Sequence, residues 1–162
     1  MDKDLVARIQ MAAYIYRGQL ISDLIYIERH IDEALSRHFC SDPKKRLEIM
    51  QVVFGTDRLG FSNKVSMFQF ICETHYSDFL KENPKMLSEL KSLIEERNIV
   101  AHYMLDTSDE AGGAFLNGEL RFIKFQNKVT PIIRTQADND KFHQLIVKNV
   151  NVLQSFLLDK LL

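Results

Sequence analysis

An arginine, an asparagine and a histidine stand in the run Arg97-Asn98-Ile99-Val100-Ala101-His102. Side chains of these types can break RNA without a metal. A ribose 2′-hydroxyl attacks its own phosphate when a group that titrates near neutrality moves the protons and a fixed cation stabilises the growing negative charge. His102 is the residue type for that proton transfer, which contributes a factor of about 10²–10⁴. Arg97 would hold the phosphate by a bidentate contact and stabilise the transition state. Asn98 would orient the ribose or the imidazole, and the small Ala101 lets chains approach closely.

The element that must carry this trio is a helix expected from Pro84 to about Tyr103 or Met104, with Asn83 as its N-cap. At about 100° per residue, Leu87, Leu90, Leu93, Ile94, Val100, Ala101 and Met104 share one broad face. Ser88, Glu89, Lys91, Ser92, Glu95 and Glu96 fall on the other, where the two glutamates would solvate the surface. Arg97 lands near the middle of the apolar face, with Asn98 and His102 stacked along its border. A cation on a core-facing stripe is costly without a carboxylate or phosphate beside it. Two readings follow. Arg97 forms a structural ion pair with Glu28 or Asp32 of the first helical region, or it faces a cleft or subunit interface where an anionic ligand binds. In the second case Glu28 and Asp32, four apart on one face, would support Arg97 or His102 from behind.

The stretch Leu93 to Tyr103 resembles the Arg-Asn-x-x-x-His signature of HEPN domains, in which Ala often precedes the His. The segments Phe61-Ser62-Asn63-Lys64-Val65 and Tyr26 to Asp32 also look like that family's layout, so the resemblance covers roughly Leu20 to Tyr103 and extends to the last helix. It implies an all-α bundle and a homodimer in which the Arg and His of two subunits face one another. For many members it also implies metal-independent endoribonuclease activity on single-stranded RNA, in some as a toxin or defence component with an antitoxin or regulatory partner. Other members are non-catalytic regulatory or protein-interaction modules. By this resemblance the catalytic residues are Arg97, Asn98 and His102, with no cofactor and no metal. A tyrosine two residues beyond the His is modified in some toxins. Here position 104 is Met, and that role does not transfer.

At 162 residues the chain suits one domain, residues 1–162, with its own core. From Lys3 to about Phe39 the apolar positions Leu20, Leu24, Ile27, Ile31 and Leu35 keep helical spacing, as one long helix or two in tandem broken at Gly18. Ser41-Asp42-Pro43 starts a shorter helix through Leu47, Met50 and Phe54, and Gly55 and Gly60 bracket a loop. Ser62 caps the helix of Val65, Phe68, Ile71 and Cys72. Asp106 to Gly113 reads as a polar loop. Asn117-Gly118, followed by alternating Leu120 and Phe122, signals a small β-hairpin inserted at about 114–126, and Val129 to Arg134 reads as extended chain or, as the alternative, a helix starting at Thr130. Asn139 caps a final helix carrying Phe142, Leu145, Ile146, Val150, Leu153, Phe156 and Leu157. The expected fold is a mostly helical bundle with a hairpin before its last helix.

A net charge of −1 excludes a surface that grips nucleic acid everywhere, so any RNA site is a local basic patch. Symmetry would help by bringing two copies of Arg97 toward one groove. Lys44-Lys45-Arg46 reads as solvated helix surface, and His143 as a surface or interface residue. The acidic start and the lack of a long apolar run predict a cytoplasmic protein with no membrane partner. Cys40 and Cys72 would then stay reduced, as small buried hydrophobes. His38-Phe39-Cys40 and Cys72-Glu73-Thr74-His75 have the residue types for zinc, but nothing in the sequence brings the pairs together.

Overall fold

In the computed structural model, which describes residues 2–55, 59–125 and 129–161, the chain is mostly helical with one small antiparallel sheet. Helix α1 spans Lys3–Phe39 without a break. Ile9, Ala13, Tyr16, Leu20, Leu24, Ile27, Ile31 and Leu35 are all buried, so the three-and-four spacing persists along the helix. Gly18 lies on the exposed face and interrupts nothing. Helices α2 (Pro43–Ile49), α3 (Phe61–His75), α4 (Ser77–Glu82) and α5 (Met86–His102) follow, with a π-helical stretch over Met50–Phe54 after α2. Strand β1 (Met104–Leu105), helix α6 (Asp109–Leu116), strands β2 (Glu119–Phe125) and β3 (Val129–Thr135) and helix α7 (Gln136–Lys160) complete the order. No helix among the described residues is long and apolar enough to cross a membrane.

The chain forms two compact units, each from separate stretches. One takes in α1 as far as Asp23 and the chain from Glu95 to Gln144; the other runs from Leu24 to Ile94 and resumes at Leu145. The first holds the sheet, in the order β1-β2-β3, with Met104 opposite Ile123 and Phe122 opposite Ile132. Its core gathers Ile9, Ala13, Tyr16, Val100, Ala111 and Phe122, with the rings of Tyr16 and Phe122 6.1 Å apart.

The second unit is closed by aromatic contacts. Phe156 meets Phe68 at 5.3 Å, Phe79 at 4.6 Å and Tyr76 at 5.0 Å, so α3, α4 and α7 share one cluster. Asp42 caps α2 as its position before Pro43 predicts, accepting from Lys44 N–H at 2.8 Å.

Several elements differ from expectation for local reasons. The polar stretch after Asp106 holds α6, capped by Ser108, whose hydroxyl accepts from Ala111 N–H. Asn117-Gly118 ends that helix and is not a hairpin turn. Gly118 has φ +82°, and its N–H donates to Phe115 C=O, which is helix-terminating geometry. The same left-handed freedom suits a hairpin turn, so the dipeptide alone does not separate the two. The hairpin is β2 with β3, further along than 114–126. Residues 126–128 between them lie outside the described residues, as does the centre of the expected Gly55–Gly60 loop, residues 56–58.

Helix α7 begins at Gln136 and not at Asn139. Thr135 Oγ1 accepts from Asp138 N–H at 3.2 Å, and Asp138 accepts from Thr135 N–H at 2.9 Å, a reciprocal cap. Helix α3 starts at Phe61 with Gly60 as its N-cap, and Ser62 lies inside it.

Candidate functional site

Helix α5 buries Met86, Leu90 and Leu93, and the stripe can continue at either residue 96 or residue 97. It continues at Glu96, which is 2% exposed, and then at Val100, which is fully buried. Glu96 therefore does not solvate a polar face. It accepts from Tyr16 Oη at 2.9 Å and from Arg134 Nε at 2.7 Å, and Arg134 Nη2 completes a bidentate ion pair. Burial, followed by the Glu96 charge, holds the Tyr16 phenol far above its ordinary value. The hydrogen bond to Glu96 raises Arg134 further, so the guanidinium stays charged. A carboxylate in this position would be costly alone, and the fork of Arg134 together with a phenol offsets that cost.

The rotation carries the motif outward. Arg97 is half-buried, and Asn98, Ala101 and His102 are exposed. Arg97 with Ala101, and Asn98 with His102, are four apart, so the four residues make one accessible strip on the last two turns of α5. Among the described residues, no hydrogen bond or ion pair reaches the side chains of Arg97, Asn98 or His102.

The strip is anchored at its end. Arg17 Nη2 donates to Tyr103 C=O at 2.7 Å, just beyond His102, while its guanidinium lies 5.2 Å from the centre of the Phe122 ring. Lys124 Nζ sits 5.6 Å from the centre of the Tyr103 ring. The chain then enters β1, where pairing with β2 fixes its direction. Two cations, Arg17 and Lys124, thus engage the residue that follows His102.

Glu28 and Asp32, the acids expected beside Arg97 or His102, hold a different cation. Lys64 Nζ lies 2.6 Å from Glu28 and 2.9 Å from Asp32, and donates to Phe54 C=O at 2.7 Å. Lys64 is 3% exposed, so it needs these partners. Burial pushes the Asp32 carboxyl up. A lysine in an amphipathic helix gives no sign in sequence that its face turns inward.

The zinc arrangement does not assemble as a set of four. The His38 and His75 rings come within 4.8 Å, and His38 Nδ1 is 3.0 Å from Tyr76 Oη. Cys72 is buried, its thiol pushed up to about 12 by desolvation. Cys40 is half-exposed, against the expected burial, with Sγ directed to Asp42 C=O. Among the described residues, no group of three or more His, Cys, Asp or Glu is placed to hold a metal. His143 is exposed, 3.5 Å from Asp23.

Sequence reasoning missed Arg134 and Tyr16, which lie 38 and 80 residues from Glu96. Their only sequence signal is type, an arginine in a β-branched strand and a tyrosine on a buried helical stripe. Comparison with protein-family models, curated proteins and solved structures returns no match for this chain.

Proposed function

We propose that this chain is a metal-independent endoribonuclease that cuts single-stranded RNA in the cytoplasm at a composite site formed by Arg97, Asn98 and His102 in a homodimer. The reading builds on the resemblance to HEPN domains. The observation that carries it is the accessible strip on α5, where an arginine, an amide and an imidazole stand together with no side-chain partner among the described residues. His102 takes the proton from a ribose 2′-hydroxyl, and that oxygen attacks the adjacent phosphorus. The 5′-oxygen leaves with a proton from the second copy's histidine, giving a 2′,3′-cyclic phosphate and a 5′-hydroxyl. Arg97 holds the non-bridging oxygens as negative charge grows, and Asn98 orients the ribose. As half of a toxin or defence pair, such an enzyme would be held in check by an antitoxin or regulatory protein.

The test is incubation of mixed RNA with the purified protein in a chelator, alongside folded Arg97→Ala and His102→Ala variants. Cleavage by the parent alone, leaving cyclic-phosphate ends, is the expected outcome. Equal cleavage by all three, or none by any, overturns the reading. A second reading, a non-catalytic interaction module, draws on Met11, Tyr14 and Ile15, large apolar side chains more than half exposed on α1. It is the one left standing if no variant and no parent cuts RNA.

A further inference from the structure

Two helices of the second unit each carry a histidine in their last turn, His38 of α1 and His75 of α3. Their rings come within 4.8 Å at a tilt of 43°. His38 is half-buried and His75 is exposed, so the pair reaches the surface. A tetrahedral metal ion bonded at about 2.0–2.1 Å to one nitrogen of each of two imidazoles sets the ring centres about 5 Å apart. The two rings already stand at that spacing.

The nitrogens are available. His38 Nδ1 lies 3.0 Å from Tyr76 Oη, while its Nε2 has no hydrogen-bond partner among the described residues and is not sealed from solvent. No hydrogen bond or ion pair among the described residues engages the His75 ring nitrogens. A histidine that binds a metal through one nitrogen almost always donates the other N–H to an oxygen, which fixes the tautomer and the ring. Tyr76 Oη is placed to accept from His38 in that way, and the Tyr76 ring is itself held 5.0 Å from Phe156.

The backbone at this point favours a cation. Both α1 and α3 end here, and a helix C-terminus presents unpaired carbonyls and the negative end of its dipole. An anion is disfavoured for the same reason. Two imidazolium rings in contact would repel each other, whereas two neutral rings sharing one ion do not.

We propose that His38 and His75 form a two-imidazole site for a divalent transition-metal ion, zinc or copper, with Tyr76 as the positioning residue for His38. Imidazole nitrogen suits these ions, whereas magnesium and calcium take oxygen ligands. Water fills the remaining positions, since no third His, Cys, Asp or Glu joins the pair among the described residues. The bound ion ties the ends of α1 and α3 together and stabilises the folded chain by mass action. It takes no part in the RNA step.

The experiment is titration of the untagged full chain with zinc chloride, copper sulfate and magnesium chloride in a non-coordinating buffer at neutral pH, followed by calorimetry and by proton NMR of the imidazole rings. Of the five histidines, His38 and His75 are expected to broaden first with copper, ahead of His30, His102 and His143. Zinc is expected to bind and to raise the melting temperature, and magnesium to do neither. His38→Ala and His75→Ala should each weaken zinc at least about tenfold, and Tyr76→Phe, which keeps the ring on Phe156, about tenfold. The Tyr76→Phe loss should appear in zinc affinity and not in the metal-free melting temperature. No zinc binding, equal broadening of all five histidines, or zinc affinity unchanged in both alanine variants overturns the proposal. If an alanine variant does not fold, the copper titration of the parent decides alone. Unchanged zinc affinity in Tyr76→Phe overturns the role given to the phenol.

Discussion

Glu96 and Arg97 are adjacent, both are charged, and both fall where the buried stripe of α5 can continue, yet the fold treats them in opposite ways. Glu96 is buried with a phenol and a bidentate guanidinium around it, every interaction satisfied within its unit. Arg97 stands half-buried at the edge of an accessible strip, without a side-chain partner among the described residues. A charge with a full set of partners holds structure. A charge left free beside an imidazole and an amide is available to a ligand.

The strongest way to break this comparison is to truncate the free side. Arg97→Ala and His102→Ala should each reduce RNA cleavage by about 10²–10⁴, read as the initial rate on a labelled oligonucleotide. Their thermal unfolding should stay close to the parent's. A large fall in stability in either variant would place that residue with Glu96, as structure.

Truncating the satisfied side should do the opposite. Glu96→Ala leaves the Arg134 guanidinium desolvated and unpaired, and breaking such a pair costs about 3–5 kcal/mol, measured by denaturant unfolding. A loss below about 1 kcal/mol would mean the network is ornamental. Tyr16→Phe at the same carboxylate removes one hydrogen bond and should cost about 1 kcal/mol.

Smaller effects test the frame that aims the strip. Asp138→Ala removes the carboxylate half of the reciprocal cap of α7, for about 1 kcal/mol or less. The N–H and hydroxyl of Thr135 hold the Asp138 carboxyl below its ordinary value near 3.8. Its contribution is therefore complete above that ordinary value and fades as pH falls through the lower folded value. Acid unfolding of the variant should be correspondingly less steep there. Gly118→Ala meets no steric neighbour, but its φ of +82° penalises any side chain by about 1 kcal/mol, visible as a small drop in melting temperature. No drop would show that the end of α6 relaxes freely.

Long periodic runs were legible from the residues alone. The uninterrupted spacing of Leu20 through Leu35 specified the second half of α1, leaving open whether the helix ran unbroken through Gly18, and the stripe from Ile146 to Leu157 specified most of α7, because a helix buries every third or fourth residue wherever it packs. Asp42 before Pro43 named a helix start because capping is a contact between close neighbours. Asn117-Gly118 misled because a left-handed glycine serves both a hairpin turn and a helix stop, and which one it makes depends on whether a helix precedes it.

The presence of Arg97, Asn98 and His102 on one helix is likewise a property of the sequence, since their spacing fixes their relation through about 100° per residue. Which way that helix faces is not. Leu93 permits the buried stripe to continue at either 96 or 97, and the choice fell to Tyr16 and Arg134, which lie far away along the chain and meet at Glu96 only after folding. Lys64, in the same way, claimed Glu28 and Asp32. Local periodicity sets which residues travel together; desolvation, settled by partners distant in sequence, sets which of them reach solvent.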